Sequence, residues 1–314
     1  MKLSQALTAY VASKQSLGMR FTTEARTLKS FCRSVGDVEV ANVDAQRLRT
    51  FLDGSGGPVT RFWHRKLDAL RGFYQFALAR GYVTTPPLPP ASSVPQVPPR
   101  FVPYIYSHEE VKRLLEAANS REHKNLSAIT YRTLLLLLYG TGLRISEALG
   151  LNMADMDLDD GILQVRDTKF YKTRIVPIGP DLTRVLTVYA AQRNKTLLGV
   201  PDTPFLLTRR DKRLSRATAE EYFKHLRVAA GVRRDDGARY QPRLHDLRHT
   251  FATTRLIHWY RDGADVQRLL PQLATYLGHV HIGGTQNYLS LTPELLRYAS
   301  KRFELYAIGG IDHA

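Results

Sequence analysis

Eight prolines crowd between Thr84 and Pro103, and this cluster restricts the fold more than any other feature of the sequence. Proline has no backbone N–H to donate, so a segment this rich in proline cannot form a helix or a central strand. We therefore predict an extended linker over residues 84–104. It separates a domain at residues 1–83 from a larger domain at residues 105–314. The length of 314 residues agrees, because one hydrophobic core rarely serves so long a chain.

The segment before the linker has the periodicity of helices. Apolar residues recur at helical spacing in three stretches, which are Leu3, Leu7, Tyr10 and Val11, then Ala25, Leu28, Phe31 and Cys32, then Phe62, Leu70, Phe73, Phe76 and Ala77. We predict a small helical domain. Its last helix also carries Arg61, Arg65 and Lys66, which are either solvated surface or contacts to a polyanion.

The segment after the linker is predicted to be mainly helical with a small antiparallel sheet. Ser107 and Glu110 have the spacing of a capping box that opens a helix. A buried helix follows over residues 127–139 and is expected to end at Gly140, and another begins near Arg144. Short strands at residues 162–165 and 174–178 flank a polar turn at residues 167–173. The fold class is therefore mainly α, or α+β, in two domains.

The charge balance points to an anionic partner. Lys and Arg number 45 against 29 Asp and Glu, which gives a formal net charge of +16. Nucleic acid is the first candidate, because phosphates neutralised by Lys and Arg release condensed counterions. A membrane surface is the weaker alternative, since the sequence has no basic amphipathic helix and no long apolar span. Without a signal segment, we expect a cytoplasmic, nucleoid-associated protein.

Arg144 lies in the segment Thr141–Leu149, in a mostly apolar context. A guanidinium there either binds an anion or pairs with Glu147 on the same helix face, and the sequence leaves both possibilities open.

A second segment, His245–Thr250, places His245, Arg248 and His249 on one helix face. An imidazole beside a permanent cation suits phosphate chemistry, because one group moves protons and the other holds charge. The two histidines also have metal-ligand spacing, but Arg248 between them would repel a cation. The single cysteine, Cys32, excludes a cysteine-based zinc site. We predict no metal and no cofactor.

Two further segments, Leu277–His281 and Thr285–Leu289, contain His279 and Tyr288, which would be weak indications separately. Together, the four segments resemble the tyrosine recombinase (phage integrase) family. The family's T-G-L-R-x-S-E-x-L, H-x-L-R-H, L-G-H and T-x-x-Y boxes match, in order, the segments that begin at Thr141, His245, Leu277 and Thr285. The resemblance covers the chain from Ser107 to about Phe303.

This resemblance implies a site-specific recombinase that cuts and rejoins DNA through a 3′-phosphotyrosyl intermediate. Tyr288 would be the nucleophile, Arg144 and Arg248 would clamp the phosphate, and His279 would hydrogen-bond to it. His245 would handle protons around the tyrosine. The family's acid is a lysine in a hairpin turn, where we choose Lys169 over Lys172, which could instead be a surface residue that contacts DNA. Glu147 and His249 would support the arginines.

The stretch between Arg248 and His279 is longer than in compact family members, and residues 271–279 resemble a transposon- or plasmid-borne subgroup. We therefore expect a role in mobile-element integration, excision or transposition, by a homo-tetramer on paired DNA sites, alone or with a partner recombinase. No arm-binding domain precedes residue 1, so we expect no accessory-site architecture. Gly283 and Gly284 either free the tyrosine segment to move or form a plain loop.

Two other functions stay open. A DNA-binding relative without catalytic activity is the first, although the presence of all six catalytic residues argues against it. A type IB topoisomerase shares the chemistry, but the integrase-type boxes and the helical first domain favour recombination.

Overall fold

The structure is a computed structural model that describes residues 1–97, 102–120, 126–166, 173–194, 202–238, 240–279, 281–290, 297, 298 and 300. The chain divides into two compact units, Met1–Phe101 and Val102–Ala314. In these described residues, no helix is both long enough and apolar enough to cross a membrane.

The described part of the first unit is built from four α-helices. They are α1 (Leu3–Ser16), α2 (Thr22–Val35), α3 (Ala45–Asp53) and α4 (Arg61–Ala79). Asp44 and Thr60 begin α3 and α4 as N-caps, because their side chains accept backbone N–H groups of the first turn. Phe31 and Phe73 are fully buried in the core between the helices.

The predicted buried face of α4 is wrong at Phe62, which is 56% exposed. The buried face of this helix runs instead through Trp63, Leu67 and Leu70, at i, i+4 and i+7. Phe62 lies one position, about 100°, away from that face and therefore meets solvent.

The second unit is mainly helical. Its helices in the described residues are α5 (His108–Ser120), α6 (Ala128–Thr141), α7 (Ile145–Gly150), α8 (Pro180–Asn194), α9 (Arg216–Ala229), α10 (Asp246–Arg261), α11 (Val266–Leu277) and α12 (Gly283–Gln286). The predicted capping box at the start of α5 is confirmed, because the Ser107 hydroxyl accepts from the Glu110 backbone while the Glu110 carboxylate accepts from the Ser107 backbone.

Three short strands, β1 (Met156–Asp157), β2 (Ile162–Val165) and β3 (Arg174–Pro177), form an antiparallel sheet in the order β1-β2-β3. Leu163 lies opposite Val176, and both are buried in the core of the unit. On the other face Ile175 is 63% exposed, so the sheet is covered on one side. The predicted mainly helical fold with a small antiparallel sheet is confirmed. The strand β1 was not predicted, since two residues carry no periodicity.

Helix α6 ends two residues later than the sequence suggested, at Gly142 rather than Gly140. Gly142 has φ +62°, the left-handed conformation of a helix C-cap. A side chain there would also collide, since a Cβ would lie 2.5 Å from Phe251 Cδ1 and 3.0 Å from Leu277 Cδ2. This close approach brings the end of α6 against α10, which carries Arg248 and His249, and against the last turn of α11, which directly precedes Gly278 and His279.

Candidate active site

The C-terminal end of α11 gathers three arginines from three different elements. A helix end leaves carbonyl groups without an intrahelical partner. Arg174 Nε donates to Tyr276 O (2.8 Å), Arg248 Nη2 to Leu277 O (2.6 Å) and Arg144 Nη2 to Gly278 O (2.7 Å). Three consecutive carbonyls thus each hold one guanidinium, at the helix end where the dipole favours cations.

Gly278 makes this arrangement sterically possible. It caps α11 with φ +67°. A Cβ at this position would lie 2.7 Å from Arg174 Nη1 and 3.3 Å from Arg144 Nη1, so any side chain would displace a guanidinium. The glycine is therefore required both by its backbone conformation and by the two arginines.

Glu147, in the first turn of α7, binds two of the arginines at once. Its Oε1 accepts from Arg144 Nη1 (2.6 Å) and Arg174 Nη1 (3.1 Å), and its Oε2 accepts from the Arg144 backbone N (2.9 Å) and Arg174 Nη2 (2.8 Å). Burial alone would raise the pKa of this carboxyl, but the hydrogen bonds and charge of Arg174, followed by those of Arg144, lower it to about 2. Arg144 therefore pairs with Glu147, as one of the two interpretations of the sequence expected, and its side chain is 31% exposed to solvent.

Arg248, on α10, is 3% exposed and is held by backbone carbonyls rather than by a carboxylate. Its Nη1 donates to Gly142 O (2.7 Å), in addition to the bond to Leu277 O. Burial lowers its pKa to about 10, while its charge interaction and side-chain hydrogen bond with Tyr288 act in the opposite direction. The guanidinium therefore lies beside the tyrosine hydroxyl.

Tyr288 is 4% exposed and lies in the 3₁₀ turn Asn287–Ser290 that follows α12. Its ring packs in an apolar cluster with side chains of α10 and α11, including Leu277. The ring centroid is 5.9 Å from that of His279, in a stacked arrangement, and 5.5 Å from that of His249. The tyrosine is therefore held against the arginine and histidine residues of its own chain.

His279 is oriented by a hydrogen bond of 2.7 Å between its Nδ1 and the Thr285 hydroxyl. Thr285 is fully buried, so its hydroxyl is a fixed partner. Burial, followed by the charges of Arg248 and Arg144, lowers the pKa of His279 to about 4. The imidazole is therefore neutral at pH 7, with Nε2 as its second nitrogen.

The two glycines before the tyrosine lie inside α12, so the plain-loop interpretation was wrong. A Cβ on Gly284 would lie 3.3 Å from His279 Cγ and 3.4 Å from its Nδ1. Gly284 thus permits close packing of the histidine ring.

His245 directly precedes α10 and is exposed, and its ring contacts that of His249 at 5.1 Å. Among the described ring contacts, His249 meets both His245 and Tyr288. Its Nδ1 is buried and has no hydrogen-bond partner among the described residues. Burial lowers the pKa of His249 to about 4, which leaves a neutral ring beside the tyrosine.

Arg174 was predicted from the sequence only as part of a strand and not as a residue of the site. The one indication in the sequence is a cation at the start of the apolar run Arg174–Pro177. Lys169 and Lys172, the two candidate acids, lie outside the described residues.

In the first unit, Arg61 and Arg65 are exposed on α4. Lys66 has a structural partner, because its ammonium group donates to the carbonyls of Phe51 (2.8 Å) and Leu52 (3.3 Å) near the end of α3. Burial lowers its pKa. The ammonium group of Lys66 therefore connects α4 to the end of α3.

The chain is similar in sequence to known integrases and recombinases. The model of the phage integrase family matches residues 105–294. The protein described as integrase/recombinase y4rB of Sinorhizobium fredii is 34% identical over 305 residues, which cover 96% of each chain. The tyrosine recombinase XerC of Thermodesulfovibrio yellowstonii is 33% identical over 232 residues, 71% of this chain and 69% of the relative.

One solved structure shows the likeness of fold over nearly the whole chain. It is the Tn1549 transposon integrase, in complex with transposon right end DNA, with a TM-score of 0.71 and 16% identity over 98% of this chain and 100% of that one.

Proposed function

Because the chain belongs to the phage integrase family and is a site-specific tyrosine recombinase, we propose that Tyr288 attacks a phosphate of the DNA backbone. The observation that carries this proposal is the placement of its ring and hydroxyl beside Arg248 and His279 of the same chain. The positive charge of Arg248, which is held at the end of α11, therefore lies beside the phenol that would attack the phosphate.

Arg144 and Arg248 would bind the non-bridging oxygens of the phosphate, where guanidinium forks form charge-assisted hydrogen bonds. The exposed part of Arg144 can reach a ligand while its other N–H groups stay bound to Glu147 and Gly278 O. If the Thr285 hydroxyl donates to His279 Nδ1, the imidazole proton lies on Nε2, where it can be donated to a phosphate oxygen.

In the proposed step, the Tyr288 oxygen forms a bond to phosphorus and the bond from phosphorus to the 5′ oxygen breaks. The phenolic proton goes to His245, with His249 in contact with both rings. Lys169 gives a proton to the leaving 5′ oxygen. The product is a 3′-phosphotyrosyl ester and a free 5′ hydroxyl, and the reverse step with another 5′ hydroxyl rejoins the strands.

For the assembly, we propose a homo-tetramer on two paired sites. A structure with the same fold, the lambda integrase, is described as a tetramer bound to a Holliday junction. The strong positive charge of this chain fits such a DNA assembly. The transposon origin of the Tn1549 integrase supports a role in mobile-element movement. In the alternative assembly, a partner recombinase takes the place of some copies of this chain.

The test is covalent capture of DNA. Wild-type protein is incubated with a pool of nicked suicide duplexes that carry a randomised segment, and protein–DNA adducts are isolated on a denaturing gel and sequenced. We expect an adduct whose recovered DNA converges on one sequence. Tyr288→Phe should form none, whereas Tyr276→Phe, which removes only a hydroxyl that donates to Pro177 O, should form it normally.

Three outcomes would contradict the proposal. An undiminished adduct from Tyr288→Phe would exclude this tyrosine as the nucleophile. The lack of any adduct from wild type, together with specific DNA binding, would favour the non-catalytic relative. Relaxation of supercoiled plasmid without sequence preference would instead favour topoisomerase activity.

A further inference from the structure

Arg174, the first residue of β3, is a cation that the mechanism above does not use. Its side chain is 10% exposed. A buried guanidinium is unfavourable unless its donors are satisfied, and here Nε, Nη1 and Nη2 all donate to protein oxygens. Two of these bonds form a parallel fork on the carboxylate of Glu147, the arrangement in which arginine is not replaceable by lysine.

We propose that Arg174 is a positioning residue that holds Glu147 and, through it, Arg144 in the geometry that binds the scissile phosphate. This inference rests on the proposed function and adds a residue to its site. Arg174 acts in two ways, through the geometry of Glu147 and through its own charge.

The geometric part follows from the sharing of Glu147. Each of its two oxygens accepts one bond from Arg144 and one from Arg174. Arg174 is in turn fixed by the carbonyl of Tyr276, next to the carbonyls that hold the two phosphate-binding arginines. Loss of Arg174 would free the carboxylate to rotate about its remaining partner, and the Arg144 guanidinium would follow it away from the phosphate.

The electrostatic part follows from the charge of the group. Two guanidinium ions around one carboxylate carry a net charge of +1, whereas Arg144 and Glu147 alone carry none. Arg174 therefore leaves the exposed Arg144 with positive charge for the phosphate, although Arg174 itself is too enclosed by protein partners to serve as the main contact.

The experiment uses the full chain and the nicked duplex recovered by covalent capture. Arg174→Gln is compared with wild type in the rate of adduct formation at saturating protein and in duplex binding by fluorescence anisotropy. We expect adduct formation to slow about 10- to 100-fold, the loss typical of partners that orient an active ligand. Binding should be unchanged within about twofold, because the chain has 45 Lys and Arg from which phosphate contacts can come.

The matched control is Arg213→Gln. Arg213 also holds the short helix α7, by donating to Leu149 O (2.8 Å) and Asn152 Oδ1 (2.6 Å) at its other end, but it has no contact with Glu147. We expect this variant to cleave at the wild-type rate. Arg174→Lys keeps the charge without the fork and should retain part of the activity, and it replaces Arg174→Gln if the latter melts well below wild type.

A double-variant cycle with Glu147→Gln separates positioning from a direct role. If Arg174 acts through Glu147, the double variant should be no slower than Glu147→Gln alone. Losses that multiply would overturn the proposal, as would wild-type cleavage by Arg174→Gln. These results differ from failure of the proposed function, in which wild type itself forms no adduct.

The acid side of the pH–rate profile gives a second readout. The charged groups that face Glu147 are Arg144, Arg174 and Arg248. Removal of Arg174 should raise the pKa of the carboxyl, so activity should be lost at a higher pH than in wild type. An unmoved acid limb would contradict the proposed action through Glu147.

Discussion

Replacement of Glu147 by Gln should destabilise the second unit in a pH-dependent way. The carboxylate is 7% exposed and binds two arginines, so its ionised form is strongly favoured in the folded state. Gln keeps the size of the side chain but carries no charge and one acceptor fewer. The change therefore leaves two guanidinium ions without their shared counter-charge.

The lowered pKa of Glu147 sets the size of the pH-dependent contribution to the folding free energy. A decrease from 4.5 to about 2 corresponds to about 3 kcal/mol of folding free energy, at about 1.4 kcal/mol per pH unit. Because the folded-state pKa is the lower one, this stability is fully present above pH 4.5 and is lost as the pH falls toward 2. By pH 3 wild type should have lost about 2 kcal/mol of it, and Glu147→Gln has none to lose.

The assay is urea unfolding of wild type and Glu147→Gln at pH values between 7 and 3. The protein has two tryptophans, of which Trp63 lies in the first unit and Trp259 in the second. A Trp63→Phe background therefore makes fluorescence report the unfolding of the second unit alone, which matters because a chain of two units need not unfold in one step.

The control is Glu220→Gln, which removes an exposed ion pair with Arg216. Such pairs contribute about 0–1 kcal/mol, so this variant should follow the wild-type curve. An equal difference in unfolding free energy between wild type and Glu147→Gln at pH 7 and pH 3 would refute the role assigned to the Glu147 charge.

Two further changes probe how the site is held together. Gly278→Ala should lower the melting temperature and slow adduct formation on the order of 100-fold, because the added Cβ displaces Arg174. The control is Gly231→Ala, where the glycine also has a positive φ, +61°, but a Cβ would meet nothing within 4 Å, so calorimetry should show only the backbone strain of about 1–2 kcal/mol. Equal effects of the two substitutions would contradict the steric explanation. Thr285→Val should slow adduct formation about 5- to 10-fold, because it removes the hydrogen bond to His279 Nδ1, whereas Thr285→Ser should keep the wild-type rate. Single-turnover cleavage followed on gels measures both rates. Equal rates for the Val and Ser variants would show that the hydroxyl does not matter.

Local patterns were sufficient for much of the fold. The capping box at Ser107 and Glu110 and the alternation of Leu163 and Val165 depend on residues within four positions of one another, and the structure has both. The end of α6 was misplaced by two residues, because the choice between Gly140 and Gly142 depends on Phe251 and its close approach from a distant helix. The predicted burial of Phe62 was also wrong, because a shift of one position along a helix moves a side chain from the buried face to the solvated face.

By itself, the sequence determined the family, the mainly helical architecture and the candidate residues of the site, including Tyr288. These depend on residue identity and short-range order along the chain. Only the tertiary structure decided that Arg174 belongs to the site, because its partners Glu147 and Tyr276 are 27 and 102 residues away in sequence. It also decided that three guanidinium ions share the carbonyls at the end of α11. A helix end has unpaired carbonyls wherever it occurs, but which side chains reach them is fixed only when distant elements pack together.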